Sequence, residues 1–143
     1  MKKFCWILCL LGFTVFLAGC SDIGKKQELE PHFYVKVLAV EYDSGEVRVD
    51  VEMDSSEIAK SPLLYGPEMT LKNADGDDIK FKRIELDKGT VDGVHGDEEV
   101  CESDFVGTYS KGVFTAVFGE DDVISKSYTF SLDYDDKTFT WKS

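Results

Sequence analysis

The groups that most protein chemistry needs are scarce in this chain. Of its four cysteines, Cys5, Cys9 and Cys20 fall within the first twenty residues, so only Cys101 lies beyond them, and the two histidines are His32 and His95. A single thiol makes no internal disulfide, so whatever folds beyond residue 20 must stand on an apolar core. One cysteine and two histidines are also too few for a Cys/His zinc site. Cys101 is surrounded by Glu98, Glu99, Glu102 and Asp104, and such negative charge disfavours the reactive thiolate. Also missing are a nucleophile elbow, a phosphate-cradling glycine loop, an HExxH pair, internal repeats and heptads. Positive charge is short as well: 16 basic residues stand against 28 acidic, a net charge of −12. That balance argues against nucleic acid and against electrostatic attraction to anionic lipid, both of which need basic surfaces.

What the chain does have begins at its start. Lys2 and Lys3 form a positive n-region, and Phe4 to Phe16 is apolar apart from Gly12 and Thr14. Ala18 and Gly19 are small residues before Cys20, and polar Ser21, Asp22, Lys25 and Lys26 follow at once. This is the order of a secretory signal. The apolar stretch to Ala18 is shorter than the roughly 20 residues a membrane-spanning helix takes.

Leu17-Ala18-Gly19-Cys20 resembles the lipobox of bacterial lipoproteins. The resemblance covers only the first twenty or so residues. It implies that the Cys20 thiol carries diacylglycerol, that residues 1–19 are cut away, and that the new amine is often acylated. Anchoring itself follows from hydrocarbon burial, about 0.8 kcal/mol per methylene, so two or three chains hold where one would not. Ser21 stands where, in lipoproteins of the enterobacterial type, Asp favours inner-membrane retention. A protein attached to the cell membrane and facing outside the cytoplasm is therefore expected, with the outer membrane favoured in a two-membraned cell.

Cleavage would leave 124 residues and remove two lysines, giving 14 basic residues against 28 acidic and a net charge of −14. That length supports one domain with a single core. Residues 20–31, polar except for Ile23 and Leu29, read as the lipidated cysteine and a tether, with residues 32–143 as the domain.

Within the domain the pattern has period two. Val47, Val49, Val51 and Met53 alternate with Glu46, Arg48, Asp50 and Glu52, the signature of a half-buried strand. A turn at Ser44-Gly45 would set Tyr42 opposite Val47, Val40 opposite Val49, Leu38 opposite Val51 and Glu41 opposite Arg48. A turn at Asp135-Asp136 would pair Leu132 with Phe139 and Phe130 with Trp141, leaving Asp133 with Thr138 and Ser131 with Thr140. Met69 to Asn73 and Ile79 to Leu86 flank a turn at Ala74-Asp75-Gly76-Asp77, and a parity change predicts a bulge near Lys82-Arg83. Gly112 to Gly119 is apolar on both faces and should be central in its sheet. Ser55 to Ser61 could form a helical turn that Pro62 stops. About seven short strands point to an all-β protein, an antiparallel β-sandwich of immunoglobulin-like type.

The segment Asn73 to Asp78 does not fit a calcium loop, since Leu71 falls where the first ligand is needed, and an Asp-Gly turn accounts for it. The longest irregular stretch, Lys88 to Asp104, holds His95 with Asp92, Asp97, Glu98, Glu99, Glu102 and Asp104. Long loops on a rigid scaffold are where binding resides. This stretch reads either as a solvated loop, or as an acidic surface for a cationic protein partner or a weak calcium site. No enzymatic activity, metal or cofactor is expected. The leading functional expectation is a lipid-anchored, non-enzymatic binding or assembly module of the cell envelope. The alternatives are an inhibitor or immunity-type lipoprotein that neutralises a cationic protein, and, third, a carboxylate-dependent hydrolase.

Overall fold

A computed structural model describes residues 21–86, 94–96, 105–119 and 125–143, with the backbone alone for 94–96. The described residues form strands β1 (Lys26–Glu30), β2 (Phe33–Asp43), β3 (Glu46–Asp54), β4 (Leu63–Tyr65), β5 (Met69–Asn73) and β6 (Asp78–Glu85). Strands β7 (Val94–Gly96), β8 (Phe105–Thr108), β9 (Lys111–Gly119), β10 (Tyr128–Tyr134) and β11 (Lys137–Lys142) follow. A single 3-10 turn, Gly66–Glu68, joins β4 to β5. The expected all-β, antiparallel class is what the protein adopts. Ser55 to Ser61 forms turns and bends and no helix.

The hairpins follow from side-chain period and turn chemistry. Ser44 (φ 51°) and Gly45 (φ 83°) both take left-handed backbone, as do Asp135 (φ 50°) and Asp136 (φ 60°). That is the type I′ geometry whose twist matches paired strands. Phe130↔Trp141, Leu132↔Phe139, Ser131↔Thr140 and Asp133↔Thr138 all pair as expected. In the first hairpin Tyr42↔Val47, Glu41↔Arg48 and Val40↔Val49 also hold, but Val51 pairs with Val37 and not with Leu38. The register shifts between Val37 and Ala39, a bulge that turns Leu38 outward, where it is exposed, and keeps Val37 inside. The bulge expected near Lys82-Arg83 is present, between Phe81 and Arg83.

The arrangement departs from a seven-stranded immunoglobulin-like sandwich. Eight described strands join in one sheet of order β1-β2-β3-β9-β6-β5-β10-β11, and β4-β8-β7 form a second, small sheet. Strand β6 pairs with both β5 and β9, so two would-be layers are one continuous surface. That surface nearly closes on itself. Trp141 donates its indole N–H to the Lys25 carbonyl (2.8 Å), the Gln27 amide donates to the Thr140 carbonyl (2.8 Å), and the Asp22 N–H donates to the Lys142 carbonyl (2.7 Å). Edges are thereby covered.

Lys26–Glu30, assigned by its polarity to the tether, is strand β1. Backbone pairing with β2 needs no particular side chains, and Leu29, with Ile23 just ahead of the strand, suffices to dock it. Leu29 is buried in the core and Ile23 packs partly against it. The core runs through Phe33, Val49, Val51, Phe114, Phe118, Phe130 and Trp141, all essentially inaccessible to solvent.

Candidate functional site

Chain direction gives the main sheet two ends. At the near end lie Asp22, the Asp43–Glu46 turn, the turn after Asn73, and the C-terminus of β11. At the far end lie the Glu30–Phe33 turn, the start of β9, the Tyr134–Lys137 turn and the small sheet.

The small sheet is an extension of the core with an apolar outer side. Leu64 and Val106 pair across β4 and β8, and both are buried in the main cluster. Alternation then puts their neighbours outward. Leu63 is 57% exposed, Phe105 43% and Tyr109 63%. Tyr65 and Phe105, opposite each other in register, stack with ring centroids 4.5 Å apart and planes inclined at 22°. Ser55 welds this sheet to the main one: its hydroxyl donates to the Thr108 carbonyl (2.8 Å) and its N–H to the Ser110 carbonyl (2.8 Å). A Cβ at Gly107 would lie 2.8 Å from the Ser61 hydroxyl and 3.2 Å from the Pro62 carbonyl, so the absence of a side chain eases this close approach. The aromatic pair therefore sits on a rigid mount.

A second constellation crosses the outer face of β3, β9 and β6. Arg83 makes a two-pronged contact with Glu46 (3.0 Å each) and donates Nε–H to Glu85 (2.7 Å), while Arg48 also binds Glu85. Val117 lies in register between Arg48 and Arg83 and is fully buried beneath them. The hydrogen bonds from Arg83 hold the Glu46 carboxyl below its usual range. At Glu85 burial pushes the pKa up, but hydrogen bonds from Arg48 and Arg83 outweigh it and the net shift is downward. Lys82 also reaches Glu46 (3.4 Å), so three cations converge on two carboxylates and the network is a brace across the sheet. Thr115 and Leu86 join Arg48 and Glu85 around a shallow recess of 240 Å³ beside it.

At the Tyr134–Lys137 turn a recess of 380 Å³ is lined by Glu68, Asp133, Asp135 and Asp136, with Lys137 and Thr138. Among the described residues no group of three His, Cys, Asp or Glu side chains is arranged to hold a metal. Asn73 explains the Asp-Gly turn directly, since its side-chain oxygen accepts from the Asp75 and Asp77 N–H groups (2.9 and 3.0 Å).

Of the residues that the sequence marked, Cys20, Asp92, Asp97, Glu98, Glu99, Glu102 and Asp104 lie outside the described residues. The His95 backbone is in β7, opposite Gly107. Residues 97–104 connect β7 to β8, so the acidic segment springs from the sheet that carries Phe105. Sequence reading missed Leu63, Tyr65, Phe105 and Tyr109. The signal for them was a pair of apolar runs, Leu63-Leu64-Tyr65 after Pro62 and Phe105-Val106 after the acids. It also paired Arg48 with Glu41 within the hairpin, whereas the ion pairs of Arg48 reach Glu85 and Glu46. Among the described residues no helix is long and apolar enough to cross a membrane. No family model, curated protein or solved structure matches the chain.

Proposed function

We propose that this protein is a lipid-anchored lipoprotein of the cell envelope, held at Cys20, whose β domain is a non-enzymatic module that binds another protein of the envelope. The observation that carries this reading is the rigidly mounted outer side of the small sheet, with Leu63, Phe105 and Tyr109 exposed and Tyr65 stacked on Phe105. Aromatic anchors on a fixed scaffold supply contact area at little entropic cost, which is how interfaces concentrate affinity. The eight-stranded sheet is the scaffold; a sandwich-like description of its two halves belongs to this reading only as architecture.

Two measurements test it. Intact mass of the membrane-extracted protein should show acyl additions on a chain beginning at Cys20, and an unmodified mass would end the lipoprotein reading. A photoreactive side chain at position 63 should trap a discrete protein in intact cells, whereas one at Asp75, at the opposite end, should not. Phe105→Asp should abolish the trapped product without changing the unfolding midpoint, and an unchanged product would remove this surface from the function.

The second reading, neutralisation of a cationic protein, draws on the origin of residues 97–104 between β7 and β8, beside the aromatic pair. Opposite fields would speed encounter. Neutralising Asp97, Glu98, Glu99 and Glu102 should then slow association, with Asp121 and Asp122 changed together as the control for net charge. Equal losses in both variants would refute it.

A further inference from the structure

Resting on the proposed lipidation at Cys20, we infer that the domain stands directly on the lipid surface, with the near end of the barrel-like sheet against the headgroups and the aromatic sheet turned away. The length of chain between lipid and fold decides this. Only Ser21 separates Cys20 from Asp22, and the two Cα steps reach about 7 Å even when fully extended. Asp22 is already part of the fold: its N–H donates to the Lys142 carbonyl (2.7 Å), and its carboxylate accepts from the Lys142 N–H (3.2 Å). Gly24 N–H is bound to the Val37 carbonyl (2.8 Å) and Lys25 N–H to the Asp22 carbonyl (3.0 Å), so the chain is tied to both β2 and β11 within four residues of the lipid. No length remains to act as a spacer.

The charges agree with that posture. At the near end, Lys142 and Lys72 flank Thr129 across β11, β10 and β5, and Lys80 lies opposite Gly119, the partner of Glu46. These lysines are exposed at the same end as Asp22, interspersed with acids such as Asp22 and Asp78. The segment 97–104, by contrast, carries five acids and no base and joins strands at the far end. An anionic surface attracts the first arrangement and repels the second. Strand β3 spans nine residues between the two ends; at about 3.3 Å per residue and a barrel tilt of roughly 40° this raises the aromatic sheet about 20 Å above the anchor end.

Lysine acetylation of the mature lipidated protein in phosphatidylglycerol-containing vesicles, read by peptide mass spectrometry, tests the posture. The reference is the lipid-free chain of residues 21–143, which contains every described strand. Lys25, Lys72 and Lys142 should react several-fold more slowly in the vesicles, while Lys60, Lys111 and Lys137 at the far end should react at unchanged rates. Intact mass of the same sample reports the acyl chains separately, so loss of lipidation is distinguishable from loss of orientation. Acylated protein with equal rates at both ends overturns the inference and leaves the anchor standing. Protection at Lys60, Lys111 and Lys137 instead would show the inverted posture and also overturn it.

Discussion

Replacing Trp141 with phenylalanine removes one N–H and part of one ring from the seam that nearly closes the sheet. Trp141 is 1% exposed, packs on Phe130 at 5.8 Å between ring centroids, and donates to the Lys25 carbonyl at 2.8 Å. Loss of that hydrogen bond costs about 1 kcal/mol. The smaller ring forfeits burial and leaves unfilled space, worth about 1 to 1.5 kcal/mol more. A total near 2 kcal/mol, at a urea slope of about 1.5 kcal/mol per molar for a domain of this size, lowers the unfolding midpoint by roughly 1.3 M. Far-UV circular dichroism is the appropriate probe, because Trp141 is the only tryptophan beyond Trp6 and its fluorescence disappears with it. Gln27→Ala is the comparison: its bond to the Thr140 carbonyl is exposed, water can replace it, and the expected loss is about 0.5 kcal/mol or less. A Trp141→Phe shift no larger than that of Gln27→Ala would mean that the seam contributes nothing and that the sheet is held as an open one.

Arg83→Gln should leave Glu46 and Glu85 without their shared partner and lower stability by about 1 kcal/mol, as for a part-buried bidentate pair. Both carboxyls are depressed below their usual range, so their contribution is complete above the unfolded-state pKa and is lost as pH falls through the folded one. The wild-type denaturation midpoint should therefore fall on acidification below about pH 4.5, and the variant should fall less steeply; parallel pH profiles would refute the brace. Asp135→Asn with Asp136→Gly places the preferred type I′ pair where both residues hold positive φ. It should raise the thermal midpoint by several degrees, equivalent to about 1 kcal/mol. An unchanged or lowered midpoint would mean that the aspartates are not strained there.

Short-range order was legible in the residues because it depends on them locally. Alternation in β3, and in β10 against β11, together with two-residue turns, fixes which face each side chain takes, since a one-residue slip would expose a whole apolar set. The bulge in β6 was visible for the same reason, as a change of parity between Phe81 and Ile84. The bulge at Leu38 was not, because Val37, Leu38, Ala39 and Val40 are all apolar and either parity satisfies the pattern.

The sequence by itself determined the β class, the register of β10 with β11, that of β2 with β3 from the turn as far as Val40↔Val49, and the central place of β9. Only the tertiary structure decided which strands are neighbours over long separations. Strand β9 lies between β3 and β6, so Arg48 meets Glu85 across Val117, and nothing in any one segment encodes that adjacency. It likewise recruited Lys26–Glu30 into the sheet, because backbone hydrogen bonds form irrespective of side-chain polarity and Leu29 alone was enough to anchor the strand. The aromatic face arose in the same way: Tyr65 and Phe105 are forty residues apart, and only pairing of β4 with β8 stacks them. Local chemistry specifies an element and its turn, while neighbours across the chain are selected by which faces bury together.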